Sequence, residues 1–292
     1  MYFIILHPSR KILHFHRYKH CFFIYNDVCL RHKTLFNILF SQKQMKNLKN
    51  RTFLIVSMSF FALFLVSFQI MKTPKLYPKL GKYVQDLPQE FSQIDEKRQH
   101  QLQKIGDYIV QRHLSNKQAK LVVICTHNSR RSHLGHIWLK TAAHYYGVQG
   151  IQGFSGGTEA TAFNPRAVTA LRDVGFKIEK INGGTKENPH YHGSFAPKSG
   201  FSLLFSKKYD NAHNPKKEFA AVMVCSEADA SCPIVLGADA RFAIPYDDPK
   251  HFDNTPQEAE KYLERCRQIG REMFFVMDYV KNKLILEAEK AK

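Results

Sequence analysis

Between residues 95 and 285 the spacing of apolar positions changes repeatedly, and each change marks a new element. From Asp95 to His113, Leu102, Ile105, Ile109 and Val110 recur at helical spacing and predict an amphipathic helix. Ala119–Cys125 (AKLVVIC) is instead a continuous apolar run, the pattern of a strand buried in a parallel sheet. Helical spacing returns over 132–146 through Leu134, Trp138, Thr141, Ala142 and Tyr145. A strand near 151–154 leads into the turn FSGG, and Pro165 opens a helix that stops at Gly175. EFAAVMVC (218–225) and ARFAIPY (240–246) read as two further strands. A long amphipathic helix over 256–283 follows, with Tyr262, Cys266, Ile269, Met273 and Met277 on its apolar face. The alternation predicts an α/β fold: a single four-stranded parallel sheet, helices on both faces, and chemistry outside the strand C-termini. Residues 183–215 break the pattern. They form a polar insertion without an evident element, and its His190, His192 and His213 read as solvated loop residues.

The chain before this domain has a different character. Residues 1–51 form a basic extension, rich in Phe, His, Tyr and Lys, to which the sequence attaches no function. Residues 52–71 are uncharged for 20 positions, long enough to cross about 30 Å of hydrocarbon. Two readings stay open for this segment: an uncleaved membrane anchor, or a stretch upstream of a true start near Met71. A cleaved signal peptide fits less well, because no small-x-small site follows the apolar run. Residues 72–118 are a linker and the first helix, and 119–285 are the catalytic-type domain that carries the 183–215 insertion.

Charge changes the picture only in part. The 292 residues carry 43 Lys and Arg against 25 Asp and Glu, a net +18. Ten of those basic residues, against the single acid Asp27, fall within residues 1–52. The domain is therefore only moderately basic, and no nucleic-acid partner is expected; its excess suits a phosphate-like oxyanion. Six cysteines in this length exclude a small disulfide-stapled scaffold.

The chemistry concentrates where two strands end. The first ends in Cys125-Thr126-His127-Asn128-Ser129-Arg130-Arg131-Ser132, a C-x5-R-S segment between strand and helix. Five intervening residues let the chain curl so that backbone amides cradle a tetrahedral oxyanion. The helix N-terminus adds positive potential, and Arg131 clamps two oxygens through its fork. The same field favours a thiolate on Cys125. Thr126, His127, Asn128, Ser129, Arg130, Arg131 and Ser132 are thus candidate oxyanion-binding residues. A later strand ends in Cys225, with Cys232 seven residues on. A zinc half-site with His190 and His192 is the weaker reading of that pair, because structural zinc prefers shorter spacing. Cys266 lies on an apolar helix face and reads as core, and Cys21 and Cys29 receive no role.

These residues resemble the low-molecular-weight phosphotyrosine phosphatase superfamily, and within it the thioredoxin-coupled arsenate reductase branch. The likeness covers residues 119–285 and rests on four motifs: the C-x5-R-S loop, Phe154–Ala160 with Asn164-Pro165-Arg166, Asp247-Asp248-Pro249, and Cys225–Pro233 with its cysteine pair. Two loop positions depart from the family: His127 replaces a glycine and Arg130 replaces a second cysteine. The resemblance implies an arsenate reductase. Cys125 would attack arsenate held by Arg131, Asp248 would serve as general acid, and Cys225 and Cys232 would relay the oxidation to thioredoxin. The alternative it implies is a phosphatase acting on phosphotyrosine or small phosphate esters through Cys125, Arg131 and Asp248 alone. No metal or cofactor is called for. A relay that must return to free thiols further implies a cytoplasmic location.

Overall fold

The computed structural model describes residues 75–197, 200–232 and 234–291. The apolar run AKLVVIC forms strand β1, Ala119–Cys125, buried at every position but Lys120. The other strands are β2, Ile151–Gly157; β3, Lys177–Gly184; β4, Pro189–Ser194; β5, Ser202–Leu204; β6, Phe219–Met223; and β7, Ala238–Ala243. The helices are α1, Pro78–Val84; α2, Glu96–Leu114; α3, Arg131–Tyr146; α4, Pro165–Val174; α5, Ser226–Ser231; and α6, Glu258–Lys290. Asp95 caps α2 by accepting the amide of Arg98, and α4 runs from Pro165 to a left-handed Gly175 (φ 111°), as its sequence signals require.

The order β2-β1-β6-β7, parallel throughout, is the predicted four-stranded sheet. Register places Ser155, Val123, Val222 and Phe242 on one face. Helices α2, α3 and α6 cover that face: Ile105, Leu139 and Met273 meet Leu121, Val123 and Val222. Tyr108 of α2 packs edge-on against Phe242. Trp138 of α3 is fully buried, donates Nε1–H to Cys266 Sγ (3.3 Å), and lies edge-on to Phe176 and Phe274. Cys266 is therefore core, as expected.

The opposite face is covered differently from the expectation of helices on both sides. Arg241 reaches from it to the Asp229 carbonyl in the six-residue α5 (2.8 Å), and coil around Tyr209 covers the β2 end. Gly156 explains the second contact, since a Cβ there would lie 2.4 Å from Tyr209 Cα. This also corrects the predicted turn at FSGG, because β2 continues through it to Gly157. Tyr145, placed on the buried face of its helix by spacing, is 39% exposed at the helix end. The closing helix runs past Lys283 to Lys290.

The largest correction concerns 183–215. The segment is no structureless excursion: β3, β4 and β5 form a second, antiparallel sheet. His192 stacks on Phe201 (4.7 Å) and His190 tilts against Phe205 (4.4 Å), so these histidines are half-buried and only His213 is exposed. Beyond β5 the chain returns to the edge of the parallel sheet. There the Gly157 amide donates to the Lys207 carbonyl and the Tyr209 amide to the Gly157 carbonyl, both at 2.9 Å.

The candidate span 52–71 and the basic extension lie outside the described residues. Among the described residues, no helix is long and apolar enough to cross a membrane.

Candidate functional site

Because β1 ends at Cys125 and α3 begins at Arg131, residues 125–131 form the connecting loop at the C-terminal edge of the sheet. Neighbouring segments draw its carbonyls outward. The carbonyl of Cys125 accepts from Thr158 N (3.2 Å), that of Thr126 from Glu159 N (2.8 Å) and that of Ser129 from Asn164 N (2.9 Å). The His127 carbonyl accepts from Ser206 Oγ (2.8 Å) and Thr161 Oγ1 (3.3 Å). Asn128 is fully buried in the left-handed region (φ 43°), which asparagine tolerates better than most residues. Its Nδ2 donates to Ser132 Oγ (2.8 Å) and its Oδ1 accepts from Lys207 N (2.9 Å). No side chain caps α3. A loop with outward carbonyls that leads into a helix N-terminus has the geometry of an anion nest.

Cys125 Sγ lies 3.1 Å from Ser132 Oγ. The two arginines share Asp248, which Arg130 Nε approaches only to 3.9 Å, and otherwise have different partners. Arg131 is buried; Nη1 donates to the Tyr246 carbonyl (2.7 Å), Nη2 to Asp248 Oδ2 (2.6 Å), and Nε–H has no protein partner. Arg130 donates from Nε to the Tyr262 hydroxyl (2.8 Å) and lies 3.6 Å from Asp253. Asp248 also accepts from the Lys250 amide, so it opens a short turn while it holds Arg131. Asp247 faces Arg265 instead. His127 meets Glu159 at 3.5 Å on the half-exposed rim.

Cys225 follows β6, which pairs directly with β1. Its Sγ lies 3.3 Å from Thr126 Oγ1 and accepts the Ala228 amide at the start of α5 (3.4 Å). Burial pushes the Cys225 thiol up, against lowering by these two hydrogen bonds and Arg131. Cys232 is half-buried at the other end of α5, its Sγ 3.4 Å from the Ile234 carbonyl. The intervening helix separates Cys225 and Cys232 by about 10 Å along its axis at 1.5 Å per residue, beyond disulfide reach. The structure thus gathers Cys125, Thr126, Asn128, Arg131, Ser132, Cys225 and Asp248, and leaves Cys232 outside. Among the described residues no three His, Cys, Asp or Glu side chains form a metal-sized cluster, and the zinc half-site is not assembled.

Sequence reasoning missed a supporting layer. Glu272 of α6, 2% exposed, accepts from Arg98 Nε and from the Tyr246 hydroxyl, both at 2.8 Å. Arg98 also bonds the Ile244 carbonyl (3.1 Å), and Tyr246 presents its own carbonyl to Arg131. Helices α2 and α6 therefore set the position of the loop arginine through one buried network. Its only signal in sequence was an acid at position 272 between the apolar Ile269 and Met273. Ser206, Lys207 and Asn188 of the insertion were missed as well. Asn188 brackets Ser206 with two hydrogen bonds (2.8 and 3.1 Å), and Ser206 and Lys207 then hold the loop.

Fold and loop together define a class: a parallel α/β protein whose first strand feeds a cysteine-and-arginine anion loop. No family model matches the chain. The chain is 26% identical over 151 residues to the arsenate reductase of Bacillus subtilis, spanning 51% of this chain and 88% of that protein. It is 29% identical over 126 residues to arsenate reductase 2 of Staphylococcus epidermidis, spanning 43% and 75%. These relatives bear out the resemblance read from the sequence. Among solved structures, a low-molecular-weight phosphotyrosine phosphatase from Vibrio cholerae aligns at TM-score 0.38 and 15% identity, over 55% of this chain and 95% of that one. A Corynebacterium glutamicum thioredoxin-dependent arsenate reductase aligns at 0.31 and 15%, over 68% and 84%.

Proposed function

We propose that the chain reduces arsenate to arsenite with a three-cysteine relay regenerated by thioredoxin. The observation that carries this reading is the second thiol at the loop: Cys225 Sγ, 3.3 Å from Thr126 Oγ1, on the strand beside Cys125. Hydrolysis of a phosphate ester has no use for it. The similarity to arsenate reductases supports the same substrate class.

Arsenate enters the loop, and its oxygens exchange with Asp248 at Arg131. The Cys125 thiolate attacks arsenic, and Asp248 protonates the departing oxygen, which leaves as water. Cys225 gives its proton to the Asp248 carboxylate and attacks Cys125 sulfur. The bonding pair returns to arsenic, which leaves as arsenite, and a Cys125–Cys225 disulfide remains. Cys232 then attacks Cys225, freeing Cys125 as a thiol and forming Cys225–Cys232. Because α5 holds these two apart, this step requires α5 to unwind. A thioredoxin dithiol supplies the two electrons that close the cycle. That requirement places the domain in the cytoplasm; anchoring through 52–71 is compatible with the chemistry and is not needed by it.

Arsenate-dependent oxidation of thioredoxin by the full chain, measured beside phosphate-ester hydrolysis, tests the proposal. Cys125→Ser should abolish both activities. Cys225→Ser and Cys232→Ser should abolish repeated arsenate turnover and spare hydrolysis. Multiple turnovers by Cys232→Ser would refute the relay. Ester hydrolysis without any arsenate-dependent oxidation by the wild type would favour the phosphatase reading, which needs only Cys125, Arg131 and Asp248.

A further inference from the structure

Behind the loop lies a buried cation that the steps above do not use. Lys207, 5% exposed, comes from the segment after β5 and turns its side chain in between α3 and β2. Among the described residues its Nζ has one hydrogen-bond partner, Ser155 Oγ at 3.5 Å, and it lies 4.7 Å from the Phe205 ring centroid. Facing it are His133 and His136 of α3 and Ser155 of β2, with Phe205 in its own segment. Lys140 of α3, the next cation along, is tied instead to Phe201 O and Ser202 Oγ. No carboxylate pairs with Lys207 among the described residues. Both histidines are held neutral at pH 7, mainly by burial and further by the lysine charge, and His133 Nε2 and His136 Nδ1 lack partners among the described residues. A buried, unpaired ammonium is expensive, and a methionine would fill the same space without that penalty. The same residue donates its main-chain amide to Asn128 Oδ1, so the backbone that carries this charge is tied to the anion loop.

We propose that Lys207 is a positioning residue for the Cys125–Arg131 loop: a cation supplied by the inserted segment, whose main chain fixes Asn128 and whose ammonium strengthens the binding of a tetrahedral dianion in the loop. The inference rests on the oxyanion-binding part of the proposed function and not on the cysteine relay. It accounts for a lysine buried without a carboxylate, and it gives the insertion a chemical role. Burial lowers the lysine from 10.5 to about 8, so the ammonium is lost within an accessible pH range.

The test is tungstate affinity of the full chain, measured calorimetrically from pH 7 to pH 9.5, where tungstate stays a dianion. A Cys125→Ser background removes the thiol, whose own ionisation would repel the anion. With Lys207 present, affinity should fall about tenfold across pH 8. Lys207→Met should bind about tenfold more weakly at pH 7 and show no such fall, because its main-chain bond to Asn128 remains and only the charge is gone. Lys207→Gln, a second neutral replacement, should behave in the same way. A merely structural lysine would shift thermal stability and leave the pH profile intact. Equal affinity of Lys207→Met and its parent at pH 7, or the same pH limb in both, would overturn the proposal. Failure of the parent to bind tungstate at all would overturn it together with the oxyanion reading. Loss of arsenate turnover with tungstate binding and its Lys207 limb intact would overturn the relay and support this inference.

Discussion

Replacing Lys207 with methionine should make the protein more stable at pH 7, although it removes a buried hydrogen-bonding group. The sign follows from proton linkage. An unfolded lysine titrates near 10.5 and the folded one near 8, so between those values the unfolded chain binds more protons, and stability rises with pH. Below pH 8 the fold carries the full penalty of a charged, buried ammonium. A displacement of this size corresponds to about 3 kcal/mol at 1.36 kcal/mol per unit. The lost contact to Ser155 is long and offsets at most about 1 kcal/mol of this. Lys207→Met should therefore gain about 2–3 kcal/mol at pH 7, and the gain should shrink towards zero as pH approaches 10.5. Paired urea titrations of wild type and variant at pH 7, 8.5 and 10 would measure it. Taking the difference between the two proteins cancels the tyrosines and cysteines that also titrate at high pH, such as Tyr262 and Cys266, which burial pushes to about 12. A variant less stable than wild type by the same amount at every pH would refute the reasoning, since that pattern marks lost packing and not a relieved charge.

The two arginines of the loop should separate cleanly. Arg131→Lys should weaken tungstate binding by at least tenfold, because an ammonium cannot hold Tyr246 O and also offer a planar fork to the oxyanion that replaces Asp248, whereas Arg130→Lys should change it by less than threefold; calorimetry on both variants checks the assignment, and equal losses would reverse it. Acid should unfold the protein steeply. His133 and His136 are held well below 6.5 by burial, so below that pH the unfolded chain takes up two protons that the fold excludes, and stability should drop by about 2 kcal/mol from pH 6.5 to pH 5.5. Urea midpoints at pH 5.5 and 6.5 measure this slope, and His136→Gln should halve it.

What the sequence disclosed depended on how each element is buried. β1 lies between two neighbours and is covered on both faces, so its apolar run was legible residue by residue. β2 was cut short because glycines read as a turn, whereas Gly156 is there so that Tyr209 can lie flat against the strand. The antiparallel sheet escaped notice because β3 is exposed at all but one position and β4 packs through His190, Tyr191 and His192, which carry no aliphatic alternation. In the site, Cys125, Arg131 and Cys225 were visible because strand ends and loop spacing are local signals. Glu272 and Lys207 were not, because a single charged residue announces its burial only through partners 26 to 174 positions away.

That dispersal of partners bears on how the chain comes to life on the ribosome. A nascent chain that has emerged as far as Cys232 already holds Cys125, Cys225 and Cys232, yet it lacks Tyr246, Asp248, Tyr262 and Glu272, which orient the arginines. Arg98, made early, waits for a carboxylate 174 residues downstream. The thiols thus exist before the pocket that gives them selectivity, and α6, synthesised after all three, is the helix that completes it. A chain that stops short of α6 would be no smaller version of the enzyme, only Cys125, Cys225 and Cys232 on an unfinished scaffold.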